Sequence, residues 1–267
     1  MTVAARRLCC LGKLCGSILT SRMISPLATG IYVGLGAAAG AGLAAGAFAY
    51  ASLWPGSRIF GRALAAPARP GELALTFDDG PNAEWTPRLL DILAKHDVRA
   101  TFFLLGNRAA MQPVLVRRIA AAGHAIGNHS WSHPNLARTR ASRVREELKR
   151  TDETLQQIVG APVKFFRPPF GARRPVVFRI ARELGLEPVL WNAMTSDWSE
   201  PSADRIAEQL IKKIDGLERR ERAANIVLHD GGHRDASANR EPSVKAAGLL
   251  LERYARSHRF VTLDAWL

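Results

Sequence analysis

Beyond Glu72 the chain alternates between two hydrophobic rhythms, and that alternation constrains the fold more than any other feature. Short apolar runs fall at residues 73–77, 100–104, 125–128, 164–166, 188–191, 226–228 and 260–263. Between them lie segments with apolar residues three and four apart, at 86–96, 114–122, 142–159, 176–184, 202–214 and 242–257. Short runs bounded by turn residues suit strands buried on both faces, and the longer amphipathic segments suit helices with one apolar side. Strand, helix, strand, repeated, predicts an α/β domain with a parallel sheet and helices outside it. In barrels of this class the carboxyl ends of the strands carry the chemistry.

Polar residues cluster at those ends. Asp78 and Asp79 close the first run in Thr76-Phe77-Asp78-Asp79-Gly80-Pro81. Adjacent carboxylates on an extended backbone point in different directions, so one can ligate a cation while its neighbour handles a proton. After the third run comes His129-Ser130-Trp131-Ser132-His133, two imidazoles four apart, the spacing at which one helical turn brings both to one metal ion. Pro134 limits that helix to a single turn. Two histidines and a carboxylate leave coordination positions open, as a catalytic metal requires. Arg167-Pro168-Pro169-Phe170-Gly171 follows the fourth run and suits a fixed guanidinium beside a carboxylate, with an N–H aimed at a developing oxyanion. Trp191 and Trp198 flank Asp197 and suit an apolar, sugar-stacking surface. His229 leaves the apolar strand before Asp230-Gly231-Gly232 and is a candidate general acid. Among the other histidines, His96 and His258 read as helix-end residues, His124 as packing beside a strand, and His233 as a secondary candidate close to the rim.

The amino-terminal quarter is different in kind. No Asp or Glu precedes Glu72, whereas Arg6, Arg7, Lys13, Arg22, Arg58, Arg62 and Arg69 do. Residues 1–22 form a basic segment, 23–57 an uncharged apolar one, and 58–70 a Pro- and Arg-rich linker to a catalytic domain over 71–267. An uncharged stretch of that length can span about 30 Å of hydrocarbon as a helix. The expectation is a membrane anchor with the domain on the extracytoplasmic side. The alternatives are a signal segment cleaved near Ala47-Phe48-Ala49, giving a secreted enzyme, or a Gly/Ala-rich apolar segment without a membrane role. Cys9, Cys10 and Cys15 all lie in the basic segment, where acylation is conceivable. The domain therefore has no disulfide, cysteine nucleophile or thiolate metal site. The net charge of +13 comes from scattered residues rather than a basic tract with interleaved aromatics, which argues against nucleic acid as partner.

The five motifs, in this order, resemble the polysaccharide deacetylase family, the NodB-homology domain of carbohydrate esterase family 4. The resemblance covers about residues 71–267 and implies a distorted, incomplete (β/α) barrel. It implies Asp79, His129 and His133 as ligands of a divalent metal, zinc in most members and cobalt or another ion in some. It further implies Asp78 as general base, oriented by Arg167, and His229 as the acid that protonates the leaving amine, paired with Asp197. The Phe170 N–H would face the oxyanion, while Leu228 and Trp198 would line the slot for the acetyl methyl. The chain departs from the family at Met194, where members often carry an acid. The implied activity is removal of N-acetyl groups from N-acetylglucosamine-containing glycans such as peptidoglycan, chitooligosaccharide or an exopolysaccharide. Alternatives are deformylation of a lipid-linked amino sugar, O-deacetylation of xylan, or glycan binding without turnover.

Overall fold

The computed structural model describes residues 26–267, with side chains from Gly40 onward. The expectations for the basic segment and its three cysteines lie outside the described residues. The chain divides into two compact units, one ending at Ala45 and one covering Gly46–Leu267. Of the first, the described part is helical, and Gly40–Ala45 are exposed.

Helix α1 (Pro26–Leu53) occupies most of the segment expected to span a membrane. Among the described residues, however, no helix is long and apolar enough to cross a membrane. The expected transmembrane anchor is therefore not supported. More than half of α1 is Ala and Gly, which gain less than Leu or Ile on entering hydrocarbon.

The second unit is built around strand β1 (Glu72–Gly80), buried along its whole length. Around it lie β2 (Thr101–Leu104), β3 (Ala125–Asn128), β4 (Phe165–Phe166), β5 (Glu187–Pro188), β6 (Ala193–Met194), β7 (Ala224–His229) and β8 (Arg259–Phe260). The strands run in the order β5-β4-β3-β2-β1-β7-β6, with β8 also on β1, and every pairing is parallel. The sheet curls without closing, since β5 and β6 are its two ends. That is the incomplete (β/α) barrel expected from the sequence. Outside it pack α2 (Trp85–Lys95), α4 (Pro113–Ala121), α5 (Ala141–Val159), α6 (Pro175–Glu183), α7 (Ala203–Glu218) and α8 (Glu241–Tyr254). A short helix, α3 (Gly106–Met111), was not anticipated.

Strand alternation sorts the side chains. Leu73, Leu75 and Phe77 face the helices and join the main core with Phe102, Leu104, Ile226 and Leu228. Ala74 faces the other way, into a smaller cluster with Phe103, Phe165, Val189 and Trp266. Thr76 and Asp78 share the parity of Ala74, so they too face the concave side. Residues 58–70 lie against the sheet rather than standing off from it. Leu64 forms a parallel bridge with Val189, and Ala66 is buried.

Candidate active site

β1 and β2 stay in register from Thr76 to Asp78, then shift between Asp78 and Gly80. The irregularity sits at Asp79, whose φ of 70° is left-handed. In a regular strand, neighbouring side chains point to opposite faces. The bulge instead turns Asp79 so that both carboxylates open onto one cavity. The sequence reading of an extended Asp-Asp pair is corrected here, because the bulge is what makes both groups usable. Gly231 is required at the same place: a Cβ there would stand 2.1 Å from the Asp79 carbonyl oxygen.

His129 and His133 converge, but not through a helical turn. Residues 129–133 form an irregular bend, and Ser130 and His133 have φ of 69° and 59°. Side chains hold the bend. The Ser130 N–H donates to Asn128 Oδ1 (2.9 Å) and the His133 N–H to Ser130 Oγ (3.1 Å). Ser132 donates through its N–H and its hydroxyl to the two oxygens of the buried Glu147 carboxylate, at 2.8 Å each. Such local bonds replace the helical ladder.

The resulting triad is compact. Asp79 Oδ1 lies 3.2 Å from His133 Nε2 and 3.5 Å from His129 Nε2. Ligand atoms of Asp79, His129 and His133 all fall within 4.8 Å of one another, and all three residues are buried. The His129 Nδ1–H donates to the Arg167 carbonyl (2.8 Å), which leaves the Nε2 lone pair facing Asp79. Burial, only partly offset by Asp79, pushes His133 down to about 3, so its imidazole is neutral. Burial pushes Asp79 up, but the surrounding histidines His129, His233 and His133 outweigh it, holding Asp79 well below the usual carboxylate range. A buried carboxylate oxygen and two ring nitrogens, with Asp79 Oδ1 lacking any hydrogen-bond donor, fit a divalent cation. His233 adds to this cluster. Its ring stacks on His133 (centroids 4.1 Å apart, 18° between planes) and its Nδ1 is 3.4 Å from Asp79 Oδ2.

Beside the triad, Arg167 is completely buried. It donates to Asp78 Oδ1 (2.8 Å), Thr76 Oγ1 (2.7 Å) and Asn225 Oδ1 (3.3 Å), and its guanidinium lies 4.1 Å from the Phe103 ring centroid. Thr76 and Asn225 were not singled out from sequence. Their signal was parity: each is a polar residue inside an apolar strand, at an even spacing from Asp78 or His229.

On the adjacent strand, His229 is the register partner of Asp78. Its Nδ1–H donates to Asp197 Oδ1 (2.9 Å) and its backbone N–H to Asp197 Oδ2 (2.8 Å), which also accepts from Ser243 Oγ (2.7 Å). Burial alone would push His229 down. The charge and hydrogen bond of Asp197, helped by Asp79 and Asp78, overcome it and raise the imidazole to about 9.

These groups open into a cavity of about 540 Å³ whose wall includes Phe170, Trp191, Met194, Trp198, Val227 and Arg234, a volume suited to a small polar ligand group. Phe170 has a left-handed backbone (φ 59°, ψ 9°) and its ring meets that of His133 edge-on at 4.5 Å. Leu228 is not brought to the cavity. It alternates with Val227 and His229, so it points into the helix-side core and Val227 takes the lining position.

A polysaccharide deacetylase family model matches residues 65–189. A peptidoglycan-N-acetylglucosamine deacetylase of Bacillus cereus is 43% identical over 152 residues, which are 57% of this chain and 55% of that protein. The match thus spans about half the length of that relative. A second enzyme of the same name from the same organism is 33% identical over 199 residues, covering 73% of this chain and 87% of the relative. The crystal structure of the Bc1960 peptidoglycan N-acetylglucosamine deacetylase superposes with a TM-score of 0.67 at 38% identity, over 76% of this chain and 90% of the other.

Proposed function

On the premise that the chain belongs to the polysaccharide deacetylase family, we propose that it is a metal-dependent hydrolase that removes N-acetyl groups from N-acetylglucosamine units of a glycan, with peptidoglycan or chitooligosaccharide as the substrate class. The single observation that carries this reading is the pairing of two opposed functions across one register position. Asp78, held by Arg167, faces His229, held by Asp197, with the Asp79, His129 and His133 triad beside them. A base on one side of an amide and an acid on the other are what its hydrolysis needs, because an amine leaves poorly unless protonated.

Asp79, His129 and His133 are the residues that would hold the cation. When bound there, a divalent ion such as zinc or cobalt lowers the pKa of water towards about 7 and polarises an amide carbonyl. Asp78 accepts the proton of the attacking water, and Arg167 fixes its rotamer and balances its charge. The Phe170 N–H faces the oxygen on which negative charge develops. His229, kept protonated by Asp197, delivers its proton to the departing amine. Trp198 and Val227 form the apolar surface against which the acetyl methyl sits. An extracytoplasmic setting is part of the proposal and rests on the acid-free basic and apolar leader; cell fractionation with mass spectrometry of the mature amino terminus tests it.

The enzymatic test is acetate release from N-acetylchitooligosaccharides and from peptidoglycan, abolished by a chelator and restored by zinc or cobalt. Asp78→Asn is expected to abolish turnover while leaving one metal per chain by elemental analysis. Loss of the metal as well would show that Asp78 and Asp79 do not divide the work in this way. Formate released in place of acetate, from formylated amino sugars, would overturn the acetyl specificity.

A further inference from the structure

Arg173 is fully buried, yet among the described residues it has no carboxylate partner. Its guanidinium serves four backbone carbonyls instead. Nη1 donates to Gly171 (3.0 Å) and Ser52 (3.2 Å), and Nη2 to Trp54 (2.6 Å) and Ser57 (3.1 Å). The Arg173 N–H adds a bond of 3.0 Å to Ser52 O. Ser52 stands in the last turn of α1, where carbonyls have no partner further along the helix, and the Trp54 carbonyl just past it also accepts from the Ser57 N–H (2.9 Å). Partial negative charge collects there, and a cation is the natural cap.

The other end of the same guanidinium is in the active site. Phe170 and Gly171 are consecutive left-handed residues, with φ of 59° and 64°. For Phe170 this conformation is strained, and strained backbone persists only where its surroundings over-determine it. Within the loop, Gly171 N–H donates to Pro168 O and Ala172 N–H to Pro169 O, both at 2.9 Å. A further hold, from outside the loop, comes from Arg173 Nη1, which joins Gly171 O to Ser52 O. Residues at the end of the segment 23–57, which sequence reading assigns to an anchor or signal, are thereby tied to the loop that carries the oxyanion donor.

We propose that Arg173 is a positioning residue, and that the segment 52–57 it grips is a working part of the active site because it keeps the Phe170 N–H on target. The role given to Phe170 rests on the deacetylase reading; the latch itself does not. One corollary is that any mature amino terminus of the active enzyme lies upstream of Ser52.

The test uses the full-length protein and two independent variants. Arg173→Met removes the donors with little change in volume. Leu53→Pro disturbs the acceptors from the other side, breaking the last turn of α1 at a side chain that is half-exposed. Each is expected to lower kcat by about 10- to 100-fold, as loss of alignment at a reacting centre does, with KM and metal content unchanged. Arg173→Lys should recover part of the loss, and the double variant should lose no more than the worse single one. Hydrogen exchange of the 167–174 backbone should quicken in both. Wild-type kcat and unchanged exchange in Arg173→Met would overturn the proposal. If that variant does not fold, wild-type kcat in Leu53→Pro overturns it equally. A wild-type protein without deacetylase turnover would sink the functional reading, while the exchange measurement would still decide on the latch.

Discussion

Replacing Asp197 by Asn separates the two things that this carboxylate does for His229. It orients the ring through paired hydrogen bonds and it supplies the charge that keeps the ring protonated. Asparagine can keep an acceptor for the Nδ1–H but not the charge. With Asp197 present, the imidazole is raised to about 9, so the acid is available throughout the neutral range and is lost only as pH rises through that value. Without the charge, only the smaller help of Asp79 and Asp78 opposes burial of the ring, and the pKa falls. A fall of about 2 units corresponds to about 2.7 kcal/mol. At pH 8 the protonated fraction would then drop from about 0.9 to about 0.1, and at pH 6 it would hardly change. The assay is the pH profile of kcat/KM on N-acetylchitooligosaccharide, with both proteins loaded with the same metal so that its effect on Asp78 and Asp79 is common to both. The expected result is an alkaline limb displaced downward by about 2 units, with any orientational loss appearing as a lower plateau at all pH values. An alkaline limb that stays in place would refute the assignment of His229 as the acid tuned by Asp197.

Three further outcomes are expected. Arg167→Met leaves the buried Asp78 carboxylate without its cation and should cost about 3–5 kcal/mol in denaturant unfolding; a loss of less than about 1 kcal/mol would show that Asp78 is not held in this way. Gly231→Ala drives a methyl group into the Asp79 carbonyl and should reduce bound metal and turnover together, while the far-ultraviolet circular dichroism is retained. Val227→Ala should raise KM or lower kcat for acetylated substrates by enlarging the cavity wall, whereas Leu228→Ala should act on stability, costing about 2–5 kcal/mol; activity lost through Leu228 at unchanged stability would reverse the two roles.

Much of this was legible before any coordinates. The seven apolar runs all contain or adjoin a strand, and the five motif positions fall at the strand ends as the parallel-sheet reading requires. The misses have physical reasons. Strand β6 is two residues long and α3 only six, too short for any periodicity to register. The His129–His133 spacing resembles a helical turn, but the bonds from Asn128, Ser130 and Glu147 draw the backbone into left-handed steps that residue spacing does not encode. The family resemblance implies Leu228 as a pocket residue, whereas period-two alternation turns it into the helix-side core and brings Val227 to the cavity. The uncharged length of α1 meets the requirement for a span, while more than half of it is alanine and glycine, which enter hydrocarbon less favourably than leucine. Arg173 carried no signal at all, since its partners are main-chain carbonyls that every sequence has.

The pairing of Asp78 with His229 at one register position of β1 and β7 works as a caliper. Neighbouring strands stand about 4.8 Å apart, set by main-chain hydrogen bonds. The separation of the two backbone positions is therefore a property of the sheet, and Arg167 and Asp197 fix the side chains that reach out from them. The surfaces that would touch the rest of a sugar chain, including Trp198 and Arg234, belong instead to connections beyond the strand ends. Exchange of those connections can change the polymer admitted while the gauge, and with it the bond that is cut, stays as it is.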